Sequence, residues 1–586
     1  MRMTSVRLFF ALALCGLAPF YSLAASQFGD VTVNAEPSSA EKSHGYAEYR
    51  VVITNSSLSA RHDVTVTAPH PAGSSSLIEV TRSITVEPRS TVTVSMFAPA
   101  GIYGAGLEVS VDGRVQREVV PASLSQHRYS GEPSVLLSKG ASSKGFDALS
   151  EAAFRDPSRG SGSSGPTYAK ASSELQVSVW SDNWLSYSGY DGVVVTADEL
   201  AQAPAAVSSA LWRWVECGGS LFIIGAFDLP QPWRGRKLDS APLPTCYAGF
   251  GQCIVSGADS LKTLTKPQWE HAKKSWLNTS MPFQTVRTGG PAGTNALLTP
   301  EGYPVPVRGM FLVMLLFVAV IGPINLLILS RKKKKMWLLW TVPAISLLTC
   351  LAVSAYSILS EGLKGHSRAV SLTILDETSH RAATIGLVGY YTPLTPGDGL
   401  HFSYETEVTL PGRAYNYGYS QDAGYRTIDW TQDQHLESGW INARTPANLQ
   451  IRRSESRRER IVIRQEPDGS LTAVNGLGAA VRELWVADVK GRIYVARDVA
   501  AGAAALLTAA PTSNAAARVD FLRSLYDNDW TQLASGAADP VKWLRPGCYV
   551  AALDSCPFVE EGLRGVESRR CEALVYGIMK ESPDEN

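Results

Sequence analysis

The side chains best suited to chemistry in this chain lie between positions 139 and 228. Lys139, Asp182, Trp184, Tyr187, Asp198 and Asp228 fall near the ends of apolar, strand-like runs, and an open parallel sheet delivers such residues to a crevice at the carboxyl ends of its strands. Aromatic faces beside carboxylates could hold a polar or sugar-like ligand, and Asp182 or Asp228 could serve a hydrolytic reaction on it. The competing use is structural: Trp184 and Tyr187 pack the domain, while Asp198 and Glu199 start a helix.

Sulfur and imidazole chemistry is sparser. Of eight cysteines, Cys15 and Cys350 fall in apolar segments, which leaves Cys217, Cys246, Cys253, Cys548, Cys556 and Cys571. An even number in an exported protein favours disulfides. Cys246 and Cys253 bracket YAGFGQ, a loop flexible enough to close, and are the expected bridge; the pairing of Cys217, Cys548, Cys556 and Cys571 stays open. Zinc would need two further ligands there. The nine histidines show no HxH or HExxH spacing, so neither a metal nor a cofactor is expected. Asp527-Asn528-Asp529 lacks the glycine and glutamate of a calcium loop and reads as an exposed turn. RRSESRRER, from Arg452 to Arg460, reads as a solvated strand edge.

The elements that must position these residues divide the chain. Residues 132–290 alternate apolar runs (Val135 to Ser138, Leu175 to Trp180, Val193 to Thr196, Leu221 to Gly225) with predicted helices such as Ala205 to Trp214, the pattern of a flavodoxin-like or related α/β domain with a largely parallel sheet. Asp156 to Ser173, which contains RGSGSSGP, reads as a low-complexity insertion. Before it, residues 25–125 carry short strands at the spacing of an immunoglobulin-like β-sandwich: Ala47 to Thr54, Asp63 to Thr67, Ser83 to Val86, Thr91 to Phe97 and Leu107 to Val111. After it, residues 366–510 return to strands and suggest a second, mainly β domain, a β-sandwich. A 511–586 extension follows, with a helix at Ala516 to Leu525 and strands at Cys548 to Leu553 and Glu572 to Gly577.

Two uncharged apolar stretches, 309–330 and 336–359, each suffice for a bilayer crossing of about 20 residues. Arg331, Lys332, Lys333, Lys334 and Lys335 join them, a loop that the positive-inside rule assigns to the cytoplasm. Met1 to Ala24 independently reads as a signal peptide, with Arg2 and Arg7 before an apolar run and Ser22-Leu23-Ala24 as the cleavage site. Both signals put the two large regions on the extracytoplasmic side of the membrane. Pro323 and Pro343 should kink the hairpin, and Asn325 could reach Ser346 or Thr349 across it. Lysine plus arginine balances aspartate plus glutamate at 54 each, so no net field favours nucleic acid. The expected partners are the lipid bilayer and an envelope protein.

The stretch from Gly189 to Asp228 resembles the middle of a class I glutamine amidotransferase-like domain: Tyr190-Asp191 before a buried strand, a helix, then Gly218-Gly219 entering the strand that leads to the nucleophile. In such enzymes a cysteine stands on the following tight turn. Here that turn reads Gly225-Ala226-Phe227, and Cys217 precedes the strand. The resemblance therefore implies a degenerate, non-catalytic copy of the fold. The wider arrangement is similar to uncharacterised bacterial two-span membrane proteins and loosely to extracytoplasmic accessory domains of some ABC transporters. It implies a membrane-anchored scaffold or accessory subunit of an envelope or transport complex; the alternatives are an envelope hydrolase or a ligand sensor using the α/β crevice.

Overall fold

The computed structural model describes residues 25–36, 44–69, 78–99, 106–121, 134–143, 169–172, 176–230, 241–257, 263–284, 307–361, 364–410, 425–510 and 543–580. The leader at Met1 to Ala24, the RGSGSSGP segment, the helix expected at Ala516 to Leu525 and the Asp527 to Asp529 turn lie outside them. Most of the described chain is β-structure, in sheets of four, six, eight and eleven strands.

In the four-stranded sheet, period-two patterning does the work. Val31, Val33 and Ala35 of Val31–Glu36 point inward, as do Tyr49, Val51 and Ile53 of Tyr46–Asn55, because successive strand side chains alternate between faces. The facing eight-stranded sheet draws on both sides of the apolar hairpin. Its Ile78–Val86 strand pairs in parallel with Arg426–Asp429, Arg426 opposite Ile78. Trp430 follows directly, fully buried, with its indole 5.2 Å from the Phe97 ring and its N–H donated to the Phe97 carbonyl at 2.9 Å.

The eleven-stranded sheet belongs to the second half of the chain. His366–Asp376, the first strand after the hairpin, lies between Arg381–Tyr391 and Glu567–Ile578, and it runs parallel to the latter.

The six-stranded sheet carries the candidate crevice. Ala169–Ser172, Ser134–Leu137, Gly192–Thr196, Ser220–Ile224 and Gly251–Val255 run parallel in that order, and Thr245–Ala248 closes the edge antiparallel. The central strands are buried on both faces, which explains their unbroken apolar runs. Val193, Val195, Leu221 and Ile223 share a core with Leu211 and Trp214 of the Ala205–Glu216 helix. Val194, Phe222 and Ile224 pack on the other side with Trp269 and Trp276 of Lys266–Gln284. The Gly218-Gly219 pair has a physical cause: Gly218 sits at φ 112°, and a Cβ on Gly219 would come within 2.3 Å of the Trp214 ring.

Two expectations change here. Within the strand expected at Leu175 to Trp180, Val177–Val179 is a single 3₁₀ turn, and Ala169–Ser172 forms the edge strand of the sheet. The segment around YAGFGQ is no open loop but a tight hairpin that sets Cys246 directly opposite Cys253. No two sulfurs among the described residues stand at bonding distance. The expected partners Cys246 and Cys253 thus face each other across the hairpin with their sulfurs short of a bond, and the sheet's own hydrogen bonds close it.

Two helical runs, Phe311–Arg331 and Lys335–Ser354, are long and apolar enough to cross a membrane. Only 11% and 0% of their most apolar windows is buried, unlike core helices, so their apolar faces need an apolar surrounding. Around Pro323 the first widens into a π turn at Val320–Ile324, an adjustment that absorbs the missing proline N–H. Asn325 is buried and donates to Thr341 Oγ1 at 2.9 Å across the hairpin, rather than to Ser346 or Thr349; Thr349 bonds its own helix at Ile345.

Candidate functional site

Three strands end side by side at the carboxyl edge of the six-stranded sheet, and the residues that follow them stand at that edge, where the crevice is expected. Lys139 follows Ser134–Leu137, Asp198 follows Gly192–Thr196, and Asp228 follows Ser220–Ile224; all three are exposed. Between the first two ends lies Glu199. Thr196 and Glu199 form a reciprocal capping box at the start of Ala197–Gln202, as the T-x-x-E spacing dictates. The same carboxylate also accepts from Ser138 Oγ at 2.5 Å and from Gly140 N at 2.7 Å. Burial raises the Glu199 carboxyl, but the donors from Ser138, Gly140 and Thr196 outweigh it and hold the group below the usual carboxylate value. A Cβ at Gly140 would fall 2.6 Å from the Glu199 carboxyl. The backbone and hydroxyl donors that could receive an anionic ligand here are thus satisfied by the protein's own carboxylate.

Asp182, Trp184 and Tyr187 are not at this edge. They precede Gly192–Thr196 and lie toward its amino end, where Asp191 accepts from Ser134 N at 2.7 Å and stands 3.0 Å from His44 Nε2. Asp182 is exposed. The Trp184–Tyr187 turn is buried throughout and capped by Asn183. From one side Glu48, on Tyr46–Asn55, accepts from Ser181 and Ser186 at 3.0 and 2.7 Å. From the other, the Trp184 indole donates to the Glu405 carbonyl at 2.7 Å and Asn183 donates to the Tyr404 carbonyl at 3.0 Å. Tyr187 donates to Ser181 O at 2.7 Å, and burial, with the nearby Glu48 charge, pushes its phenol well above the ordinary value. No aromatic face is left for a ligand.

A buried ionic seam continues this junction. Arg381 donates to Glu216 at the end of the Ala205–Glu216 helix, and Ser454 bonds the same carboxylate. Arg452 pairs with Glu407, lies 5.6 Å over the Trp184 ring, and donates to the Cys217 carbonyl at 3.0 Å. Arg452 is 8% exposed and Ser454 1%, so the start of RRSESRRER is an interior seam rather than a solvated edge. Cys217 is buried, and burial pushes its thiol far above the ordinary range despite Arg452. It is no thiolate nucleophile.

No family model matches the chain, and no curated protein or solved structure matches it. The site has to be read from its own geometry. At the turn where the resemblance places a nucleophile, Gly225 takes φ 105° and donates to Ser256 Oγ at 3.2 Å, and exposed Ala226 follows. Among the described residues, no crevice side chain belongs to a group spaced to hold a metal ion.

Of the six candidates, then, the structure gathers Lys139, Asp198 and Asp228 at one edge and sends Asp182, Trp184 and Tyr187 to the other end. Sequence reasoning gave Glu199 only a capping role; the T-x-x-E box was visible, its bonds to Ser138 and Gly140 were not. Glu48, Glu216 and Glu405 carry no local signal, because their partners are remote in the chain.

Proposed function

We propose that this chain is a non-enzymatic, membrane-anchored scaffold or accessory subunit of an envelope complex, with both large regions on the extracytoplasmic side. The amino-terminal sheets are read as an immunoglobulin-like sandwich and the six-stranded unit as a degenerate amidotransferase-like domain. The observation that carries the proposal is the Trp184–Tyr187 turn, gripped by Glu48 from before it and by Tyr404 and Glu405 from beyond the hairpin. Side chains that would recognise a ligand in an enzyme are here spent on fixing three units against one another. The Glu199 carboxylate in the crevice supports the same reading.

The test is replacement of exposed candidate charges at both ends of the sheet. Cells carrying Lys139→Ala, Asp182→Asn or Asp228→Asn should keep both protein abundance and whatever phenotype depends on the protein. Loss of that phenotype at normal abundance, in any one of them, would overturn the non-enzymatic reading in favour of the envelope hydrolase.

A further inference from the structure

At the far end of the eight-stranded sheet, Leu400–Phe402 pairs with Gln434–Ser438 and places His401 directly opposite His435. Their rings stack with centroids 4.2 Å apart and planes 10° from parallel. Asp433, one residue before the second strand, stands 2.9 Å from His401 Nδ1. Gly399 takes φ 58°, with its Cα pressed so near the Leu436 carbonyl that a Cβ would stand 2.4 Å from it. This turn brings Asp398 against both rings: its carboxylate lies 3.4 Å from His401 Nε2, and its carbonyl oxygen 3.0 Å from His435 Nε2.

The proton inventory of this cluster is unusual. A carboxylate at Nδ1 favours the tautomer with hydrogen on that nitrogen, which leaves the Nε2 lone pair bare. That Nε2 is buried without a close, well-aligned hydrogen bond and faces the Asp398 carboxylate at 3.4 Å, which offers only lone pairs. Two electron-pair donors facing each other share a cation: a second proton on His401, or a metal ion that takes its place. The carboxylate–histidine contact through Asp433 is also the arrangement that orients imidazole ligands toward a metal.

We propose that Asp398, His401 and His435 form a binding site for a divalent transition-metal ion, with Asp433 as the positioning residue behind His401. One ligand atom from each of the three lies within 4.8 Å of the others, and side-chain rotations that open the stacked rings would close the set around one ion. Two imidazoles and a carboxylate suit zinc-like ions better than magnesium or calcium, which favour all-oxygen sites. Asp398 is 71% exposed at its side chain, giving the ion an entry from solvent and leaving room for a further ligand. The histidines stand 34 residues apart in sequence, so spacing rules for one helix or hairpin miss them; the strand register makes the site.

The experiment uses the full-length chain in detergent, stripped with chelator and titrated with Zn²⁺ by calorimetry at neutral pH. One ion per chain should bind. His401→Gln and His435→Gln should each abolish that binding, and Asp433→Asn should weaken it roughly 10- to 100-fold. Circular dichroism and gel filtration check that the variants are folded. Co²⁺ bound to the unmodified protein supplies a test without any substitution: its absorption should show nitrogen and oxygen donors and no thiolate charge-transfer band. Absence of Zn²⁺ binding, binding that persists unchanged in both histidine variants, or a thiolate band from the cysteines would each overturn the assignment.

Discussion

Arg381 donates two hydrogen bonds to Glu216, at 3.0 and 2.8 Å, across 165 residues of sequence. The pair fastens the last residue of a helix in the six-stranded unit to the second strand after the apolar hairpin, with only 10% and 17% of the two side chains exposed. Removing one partner strands a charge in a low-dielectric seam, whereas replacing both need not. Glu216→Met alone and Arg381→Met alone are each expected to destabilise the protein by about 3–5 kcal/mol, while the two together cost far less. Chemical denaturation of the native protein and these three variants as a double-mutant cycle checks this. A double-variant loss equal to the sum of the two single losses would deny the coupling.

Trp184 separates a ligand-binding role from a structural one. Its side chain is fully buried and its N–H is bonded to Glu405, so Trp184→Ala should lower stability by about 3–5 kcal/mol and speed amide exchange on the strands it ties together. A variant of unchanged stability would put this residue back among the ligand candidates.

Glu199 should leave a signature in pH. Its folded-state pKa lies below the ordinary carboxylate value. Its contribution is therefore complete above that value and is lost as pH falls through the lower, folded pKa. Stability of the native chain should decline over this acid window, and Glu199→Gln should flatten that part of the decline. At neutral pH the variant should lose about 1–3 kcal/mol, since Ser138 and Gly140 keep buried donors without the charged acceptor. Thermal unfolding of both proteins at a series of pH values reads the difference.

Cys217 tests the loss of the nucleophile. Its thiol is buried and shifted upward, so alkylation in the folded protein near pH 7 should be negligible and should become complete on denaturation. Mass spectrometry of the Cys217 peptide gives the result. Rapid labelling of the native chain would reveal a thiolate.

What was legible in the sequence was local. Alternation over Ala47 to Thr54 announces Tyr46–Asn55, unbroken apolar runs announce Gly192–Thr196 and Ser220–Ile224, and uncharged stretches announce the two long apolar helices. Pairing between remote segments was not legible. Nothing within Arg426–Asp429 announces that it will lie beside Ile78–Val86, because register depends on partners that a single strand does not encode. Trp184 and Tyr187 misled for a related reason. An aromatic with a polar tip suits a ligand pocket and a buried junction equally well, and only the remote Glu48 and Glu405 decide between them. Arg452 looked solvated because its run is charged, yet its partners Glu407 and the Cys217 carbonyl lie inside.

The most direct measurement of the scaffold account is crosslinking in intact cells with the hairpin in place, followed by detergent purification and mass spectrometry. The account predicts a reproducible transport or envelope-assembly protein crosslinked to this chain, still recovered with the Lys139→Ala and Asp228→Asn variants. Recovery of the isolated chain alone, with a glycan or small molecule copurifying and lost on those substitutions, would contradict it.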